Sequence, residues 1–402
     1  MTKADKEGQR KAPILRFKGF TDAWEQRKLQ NQVQFFSGLT YSPNDVKSVG
    51  TFVIRSSNIK DNTLVPADNV YVNPDIANSE PVKKDDVIMV VRNGSKSLIG
   101  KHALVTRKIN NTVIGAFMTG IRSSTPYFLD ALLDTVNFKK EIYKNLGATI
   151  NQITVGNLRK MTFKVPNESE KFKIGNLFKK LNYLLALYER KIKLFDDMIA
   201  YLKQQLFYKQ SSLFFPQSYW KDIAFSKLYI KRKDKNIDVS YDQSKMISVA
   251  NMKYSDRELN SSREYLKTYY ITHFGDIIYE GNRSGNFKYG RFVQNDIGDG
   301  IVSHVFTVYK PIDDLDMNFM DNFINYEPIM SRVLLYATTD TLMMHTLHDN
   351  ELMKQKLNLP DKETQIKIGR ILSLVSTIKN RFSERKEFLI KIKRTLLNTM
   401  FI

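Results

Sequence analysis

The stretch IGNLFKKLNYLLALYERKIKLFDDMIAYLKQQLF, residues 174–207, decides the fold. Alternating steps of four and three residues from Ile174 meet an apolar side chain every time: Ile174, Phe178, Leu181, Leu185, Tyr188, Ile192, Phe195, Ile199, Leu202 and Leu206. An apolar residue every 3.5 positions is the seam of a left-handed coiled coil. The pattern predicts one long helix lying along a partner helix. The alternative is a helix buried in an ordinary core, which seldom keeps so strict a repeat for so long.

A second, thinner copy is IGRILSLVSTIKNRFSERKEFLIKIKRTLLNTMF, residues 368–401. The same stepping gives an interrupted seam, with lysine at 379, 386 and 393 and apolar residues at Ile368, Leu372, Val375, Phe382, Leu389, Leu396 and Met400. A helix of about 40 residues is roughly 60 Å long. We predict that the two helices pair antiparallel, with one globular domain at each end.

The helices belong to a tandem repeat of the whole chain. Pro360 follows Pro166 by 194 residues, and Ile-Gly follows each proline at the same distance. Further pairs lie in the same order at nearly the same offset: Trp24 with Trp220, Asn58 with Asn251, Arg92 with Arg283, and Glu189-Arg190-Lys191 with Glu384-Arg385-Lys386. Several collinear matches indicate two copies of one architecture.

The repeat predicts the domain boundaries. Residues 1–20 form a tail, 21–165 the first globular domain, 166–210 the first helix, 211–359 the second globular domain and 360–402 the second helix. Short runs rich in β-branched residues, such as TFVIRSS and DDVIMVV, alternate with helical patches inside the globular parts. The predicted fold is α/β: two mixed α/β domains separated by two long antiparallel coiled-coil helices, with pseudo-two-fold symmetry within one chain.

The amino-acid composition limits the classes of site and of binding partner that the chain can have. The 402 residues carry a formal net charge of +20 and contain no cysteine. The missing thiols exclude a disulfide-stapled scaffold, a zinc–thiolate site and a cysteine nucleophile. No apolar run is long enough to cross a membrane, and the polar N-terminus lacks a signal sequence, so we expect a cytoplasmic protein with no membrane partner. The positive field favours a nucleic acid as partner, and the alternatives are a basic bias of the whole proteome or an acidic protein partner.

Catalytic motifs do not emerge. The nearest approach to a phosphate loop, from Gly94 to Gly100-Lys101-His102, has one residue too many and a histidine where Ser or Thr must bind magnesium. His345 and His348 are three residues apart, without a further ligand in zinc-site spacing. We therefore expect no catalytic residue and no metal ligand in this chain.

Polar turns are the candidate DNA readers, because Arg suits guanine edges, Asn suits adenine, and Ser suits phosphate. In the first domain they are Arg55, Ser57, Asn58, Arg92, Asn93, Ser95, Lys96 and Gln152; in the second they are Asn251, Asn282, Arg283, Ser284 and Asn286. The alternative is that these residues only form solvated hairpin turns.

The whole chain resembles the specificity subunit of a Type I restriction–modification system. The resemblance rests on LRFKGFTDAWEQRKL (from Leu15), on GATINQITVGNLRKMTFKVP (from Gly147), and on the Pro…Ile-Gly…Glu-Arg-Lys helix in two copies. The segment ATTDTLMMHTLHDNELMKQKLNLP (from Ala337) departs from the first repeat's GATINQI, so the resemblance carries no residue-level roles into the second domain.

The resemblance implies a DNA-recognition subunit without catalytic activity of its own. Two target-recognition domains would each read one part of an asymmetric bipartite site in double-stranded DNA, and the helix pair would set the spacer. The helices would also dock two modification subunits, adenine methyltransferases that bind S-adenosylmethionine. Two restriction subunits, which use ATP and magnesium, would complete the nuclease. This chain itself would bind no cofactor.

Two other functions remain as alternatives. The chain could be a stand-alone coiled-coil scaffold whose positive charge serves acidic partners. It could also be a single-chain DNA-modifying enzyme, although no motif supports one.

Overall fold

The structure is a computed structural model that describes residues 12–147, 151–207, 215, 219–255, 262–282, 286–340 and 344–402. The chain divides into two compact units, and each contains one half of both long helices. Unit 1 comprises Met1–Glu189 with Glu384–Ile402, and unit 2 comprises Arg190–Ser383.

Unit 1 is a mixed α/β domain. Its strands are β1 Glu25–Lys28, β2 Gln34–Ser37, β3 Val46–Lys47, β4 Thr51–Ile54, β5 Ile59–Lys60, β6 Thr63–Leu64, β7 Val70–Val72, β8 Val87–Val90, β9 His102–Leu104, β10 Thr112–Ile114, β11 Met118–Arg122 and β12 Thr162–Val165. Its short helices are α1 Pro126–Asp134, α2 Val136–Lys144 and α3 Val155–Lys160. Two four-stranded sheets, in the orders β10-β4-β7-β3 and β2-β11-β8-β9, carry the core, and β1 pairs with β12.

Unit 2 is built from a similar set of elements. Its strands are β13 Trp220–Ala224, β14 Tyr229–Lys231, β15 Ile247–Ser248, β16 Lys253–Tyr254, β17 Tyr270–Thr272, β18 Ile277–Glu280, β19 Arg291–Gln294, β20 Gly300–Val302, β21 Thr307–Pro311, β22 Thr338–Asp340, β23 His345–Leu347 and β24 Lys356–Pro360. After the long helix α4, described below, its short helices are α5 Phe225–Leu228, α6 Arg263–Leu266, α7 Met317–Phe323, α8 Glu327–Ala337 and α9 Asp349–Lys354.

The repeat seen in the sequence is also a repeat of topology. The central sheet of unit 2 has the order β14-β21-β18-β19, which matches β2-β11-β8-β9 of unit 1 strand for strand. The antiparallel pair β13-β24 matches β1-β12 in the same way. The strands β8 (VIMV) and β18 (IIYE) lie second from one edge of these sheets, and all of their residues are buried.

The two long helices are α4, Glu168–Leu206, and α10, Lys362–Met400, each 39 residues long. Both begin just after a proline, and a side-chain cap closes both first turns. Asn167 Oδ1 accepts from the backbone nitrogen of Glu170 at 2.9 Å, and Asp361 Oδ1 accepts from that of Thr364 at 2.9 Å. Such caps satisfy backbone donors that the first turn leaves free.

The Ile-Gly motif allows a short helix to pack closely on each long helix. A Cβ atom on Gly175 would lie 2.8 Å from the backbone nitrogen of Phe128 in α1. A Cβ atom on Gly369 would lie 2.8 Å from the backbone nitrogen of Phe319 in α7. Glycine is therefore required at both positions for the same packing reason, which explains why the motif occurs twice.

The long helices pack antiparallel on each other. In unit 1, Phe178 contacts Phe401 (ring centroids 5.9 Å apart) while Glu189, further along α4, pairs with Lys386, nearer the start of α10. In unit 2, Phe195 stacks on Phe382 at 5.5 Å. Every seam residue that the sequence predicts is buried or half-buried. The predicted class, mixed α/β with a pair of long helices, is confirmed.

The three lysines that interrupt the second seam are half-buried, and each pairs with a carboxylate. Lys379 Nζ lies 2.7 Å from Asp196 Oδ1, Lys386 Nζ lies 2.7 Å from Glu189 Oε1, and Lys393 Nζ lies 2.8 Å from Asp134 Oδ2. The lysines are spaced by seven residues, and so are Asp196 and Glu189. An antiparallel coiled coil therefore brings the first two pairs together in register.

Candidate nucleic-acid interface

Three segments of unit 1 that carry predicted readers lie together. Asn93, in the loop after β8, donates from Nδ2 to the hydroxyl of Ser56 at 3.1 Å. Arg92 and Gln152 form an antiparallel backbone bridge. Asn151 Nδ2 donates to the carbonyl of Gly94 at 2.8 Å. The turn at 55–58, the loop at 92–98 and the segment at 151–153 thus form one surface.

The exposed side chains on this surface are Ser57, Arg92, Ser95 and Lys96. Asn93 is half-buried and shapes the loop, because its Oδ1 accepts from the backbone nitrogen of Ser95 at 3.0 Å. The hydroxyls of Ser95 and Ser97 lie 2.9 Å apart. Two cations and several hydroxyls therefore face solvent together, a combination that suits phosphate and base edges.

Two predicted readers in the 55–58 turn have internal partners instead. Asn58 is buried: its Oδ1 accepts from the backbone nitrogen of Arg55 at 2.9 Å, and its Nδ2 donates to the carbonyl of Ala67 at 2.8 Å. Arg55 donates to the carbonyl of Asp68 at 2.6 Å and also pairs with its carboxylate. We therefore correct the prediction for Asn58, whose amide holds the loop together and is not free to read a base.

Phe117 belongs to this surface, although sequence reasoning missed it. The guanidinium carbon of Arg92 lies 5.0 Å from the centroid of the Phe117 ring. The carbonyl of Phe117 accepts from the backbone nitrogens of Val91 at 3.0 Å and Arg92 at 3.2 Å. The ring is nevertheless 54% exposed. The signal in the sequence is weak, because a phenylalanine beside a strand is normally assigned to the core.

Unit 2 repeats the backbone bridge between Arg92 and Gln152, but its equivalent of Arg92 lies one residue earlier than the sequence alignment predicts. Asn282 forms the bridge with Met344 that Arg92 forms with Gln152. Asn282 therefore occupies the position of Arg92, which corrects the sequence match of Arg92 with Arg283. Asn282 is exposed, and its Nδ2 donates to Glu280 Oε1 at 3.3 Å. The predicted readers Arg283 and Ser284 lie outside the described residues.

The other predicted readers of unit 2, Asn251 and Asn286, are exposed. Arg291, at the start of β19, ties the Asn251 turn to the β18–β19 hairpin. It donates from Nη2 to the carbonyl of Ala250 at 3.1 Å and from Nε to Glu280 Oε2 at 2.8 Å. Sequence reasoning missed Arg291, because its role depends on contacts distant in the chain.

Other features of the described residues bear on the expected chemistry. Within the described ranges, no group of three His, Cys, Asp or Glu side chains is placed to hold a metal ion. His348 Nε2 lies 2.8 Å from the hydroxyl of Thr339, and His345 Nδ1 lies 3.5 Å from Asp340 Oδ1. In that same part of the chain, none of the helices is both long and apolar enough to span a membrane.

The comparisons with known proteins concern the fold. No protein-family model matches the chain, and no curated protein matches it in sequence. The crystal structure of the Type I restriction–modification S subunit from M. genitalium is similar, with a TM-score of 0.65 and 14% identity over 97% of this chain and 99% of that one. The chain has the fold of a Type I specificity subunit.

A second solved structure agrees. A chain from a structure that describes assembly and conformational transition of a type I restriction–modification system is similar, with a TM-score of 0.51 and 13% identity, over 94% of this chain and 97% of that one. In this specificity-subunit fold, the polar surface described above lies after the second-from-edge strand of each central sheet, at equivalent positions in the two units.

Proposed function

We propose that this chain is the DNA-recognition subunit of a Type I restriction–modification complex, with unit 1 and unit 2 each reading one part of a bipartite, asymmetric site. The observation that carries the proposal is the likeness to an S subunit over 97% of the chain. It is supported by the repeat, which gives the two units the same scaffold but different exposed readers, Arg92 in one and Asn282 in the other. Two unlike readers fit an asymmetric site.

The chain would supply recognition while its partners supply chemistry. Its surplus of 20 positive charges would attract the phosphate backbone, so binding should weaken steeply with salt as counterions are released. Methyl transfer from S-adenosylmethionine and ATP- and magnesium-dependent cleavage would belong to modification and restriction subunits, two of each. We expect the purified chain alone to methylate no DNA.

The outward faces of the long helices are the proposed docking surface for the modification subunits. Large apolar side chains are exposed on α4 away from the seam, namely Tyr183, Leu184, Leu187, Leu194, Met198 and Tyr201. Exposed apolar residues that recur along a helix suit burial by a partner protein. Replacing Leu194 and Tyr201 by Ser should weaken co-purification with the methyltransferase subunit and leave the fold of this chain unchanged.

The decisive experiment is to express the chain with its methyltransferase subunit and to map methylated adenines by long-read sequencing. A bipartite motif is the expected result; unmethylated DNA in the presence of an intact complex would contradict the proposal. Arg92→Ala should then relax one half-site, and Asn282→Ala the other, each by about 1–3 kcal/mol of discrimination. Arg107→Ala is a matched control, because Arg107 is an exposed arginine of the same unit that follows β9 and lies outside the surface described above.

A further inference from the structure

Both units expose an apolar side chain at the same position of the fold. Phe117 lies in the turn between β10 and β11, and Val305 lies in the turn between β20 and β21. Their side chains are 54% and 58% exposed. The two turns have the same construction: Met118 N donates to the carbonyl of Gly115 at 2.9 Å, and Phe306 N donates to that of Ser303 at 3.0 Å.

The position adjoins the candidate readers in both units. In unit 1, β11 continues from Phe117 with Met118 opposite Val90, so the turn lies where the Arg92 loop begins. In unit 2, β21 begins with Thr307 opposite Tyr279, which puts Val305 beside the start of the Asn282 loop. A single exposed apolar residue is common on any surface. The same exposure at equivalent turns, each beside an exposed polar reader, points to a contact that the surface makes.

We infer that Phe117 and Val305 contact the 5-methyl groups of thymines in the major groove, each in the half-site that its own unit reads. The inference rests on the proposed function and names the chemistry by which the site distinguishes bases. Thymine is the base that presents a methyl group in the major groove, and apolar side chains are its natural partners. Because Phe117 carries a ring and Val305 a small branched side chain, each unit fits a different arrangement of bases around its thymine.

Phe117 also positions Arg92. A guanidinium over an aromatic face is held by a cation–π attraction, and the backbone of Arg92 is hydrogen-bonded to the same residue. The planar fork of Arg92 and the free edge of the ring therefore reach DNA as one rigid pair. In unit 2, Asn282 with Val305 would form the corresponding amide and apolar pair.

The test removes the methyl group from the DNA and the apolar group from the protein. The methylated motif of the wild-type complex is determined first, and each thymine of the motif is then replaced singly by deoxyuridine in a duplex. For the wild-type complex, one deoxyuridine in each half-site should weaken binding about fourfold, the factor that corresponds to burial of one methyl group, about 0.8 kcal/mol. Phe117→Ala should abolish that loss in one half-site, and Val305→Ala should abolish it in the other.

The controls separate this contact from structure in general. Tyr143→Ala and Ile312→Ala remove exposed apolar side chains elsewhere in units 1 and 2 and should change neither half-site. Phe117→Leu keeps an apolar contact and should retain most of the sensitivity to deoxyuridine. Thermal melting of every variant confirms that the fold is kept.

The outcomes distinguish this inference from the proposed function. A bipartite motif whose deoxyuridine sensitivity persists in Phe117→Ala and Val305→Ala would overturn the inference and leave the proposed function intact. A half-site made only of G·C pairs would overturn it for that unit. Absence of any methylation motif from the wild-type complex would remove both.

Discussion

Asp86 in unit 1 and Asp276 in unit 2 occupy the same turn, yet their arginine partners come from different strands. Each carboxylate is buried and accepts from a backbone nitrogen three residues earlier, that of Lys83 at 2.8 Å and that of His273 at 2.7 Å. The preceding residue has a positive φ in both, 72° at Asp85 and 90° at Gly275. The turn itself thus fixes where the negative charge lies.

The cation is supplied differently. Arg122 ends β11 and reaches Asp86 through Nε at 2.7 Å and Nη2 at 2.8 Å. Arg232 follows β14, the counterpart of β2, and reaches Asp276 through the same two nitrogens at 2.7 and 3.1 Å. The repeat therefore keeps the position of the buried carboxylate, while the strand that supplies its arginine differs between the two units.

The largest predicted effect follows from breaking these pairs. Asp86→Ala would leave the Arg122 guanidinium without its main partner in unit 1, and Asp276→Ala would do the same to Arg232 in unit 2. Each should lower the free energy of unfolding by about 3 kcal/mol, because the guanidinium loses its buried partner and keeps only a more exposed carboxylate, that of Glu80 or Asp234. Hydrogen exchange should show the loss in the mutated unit, and Asp75→Ala, at an exposed position, is the control. Equal loss of protection in both units would contradict the prediction.

The sequence predicted the structural features that leave a periodic pattern of apolar residues, and it did not predict those that depend on contacts between distant residues. The seam from Ile174 to Leu206 could be predicted, because helix geometry places residues that repeat every 3.5 positions on one buried face. The Asp86–Arg122 ion pair could not be predicted, because its residues are distant in the chain and the second repeat takes the corresponding arginine from another part of the sheet. Phe117 was missed because exposure is a property of the folded surface, and Asn58 was misassigned because a buried amide and an exposed one look alike in a sequence.

The next effect concerns how each unit holds a lysine of a long helix. In unit 1, Lys393 lies 2.8 Å from Asp134, and its charge helps to lower the pKa of that carboxyl despite burial. In unit 2, burial lowers the pKa of Lys203 against the opposing charge of Asp321, and burial raises the pKa of Asp321. Lys393→Met should therefore cost about 2 kcal/mol, because the carboxylate of Asp134 loses its cation and keeps the hydrogen bond from Asn62, whereas Lys203→Met should be neutral or stabilising. Urea denaturation of both variants measures the contrast; equal losses would contradict it.

A smaller effect depends on pH and is confined to unit 1. Burial raises the pKa of Asp130 to about 6, while His102, Asp134 and Lys393 face it and Asn182 donates to it. Because the folded state then holds a proton that the unfolded state has lost, this group's contribution falls as pH rises from about 4 to about 6. Asp130→Asn should remove that slope and leave the protein about 1 kcal/mol more stable than wild type at pH 7. Urea midpoints at pH 4.5 and pH 7 measure the difference. A variant that follows the wild-type curve would contradict the prediction.

The smallest predicted effect concerns the ion pairs between the two long helices, which are more exposed than the buried ion pairs inside the units. Lys386 is 25% exposed on its side chain and its partner Glu189 is 54% exposed, so water and salt screen the pair. Lys386→Met should change stability by less than about 1 kcal/mol, because an apolar residue fits the seam and replaces an ion pair of low value. Added salt should lower the stability of the wild type relative to that of the variant, a difference that thermal melting at low and high ionic strength can resolve. The reversal Lys386→Glu should cost more than Lys386→Met, since it puts two carboxylates together, and Glu189→Lys in the same chain should recover most of that cost. Failure of the second change to recover it would mean that the lysines serve the seam through their methylene stems and not through their charge.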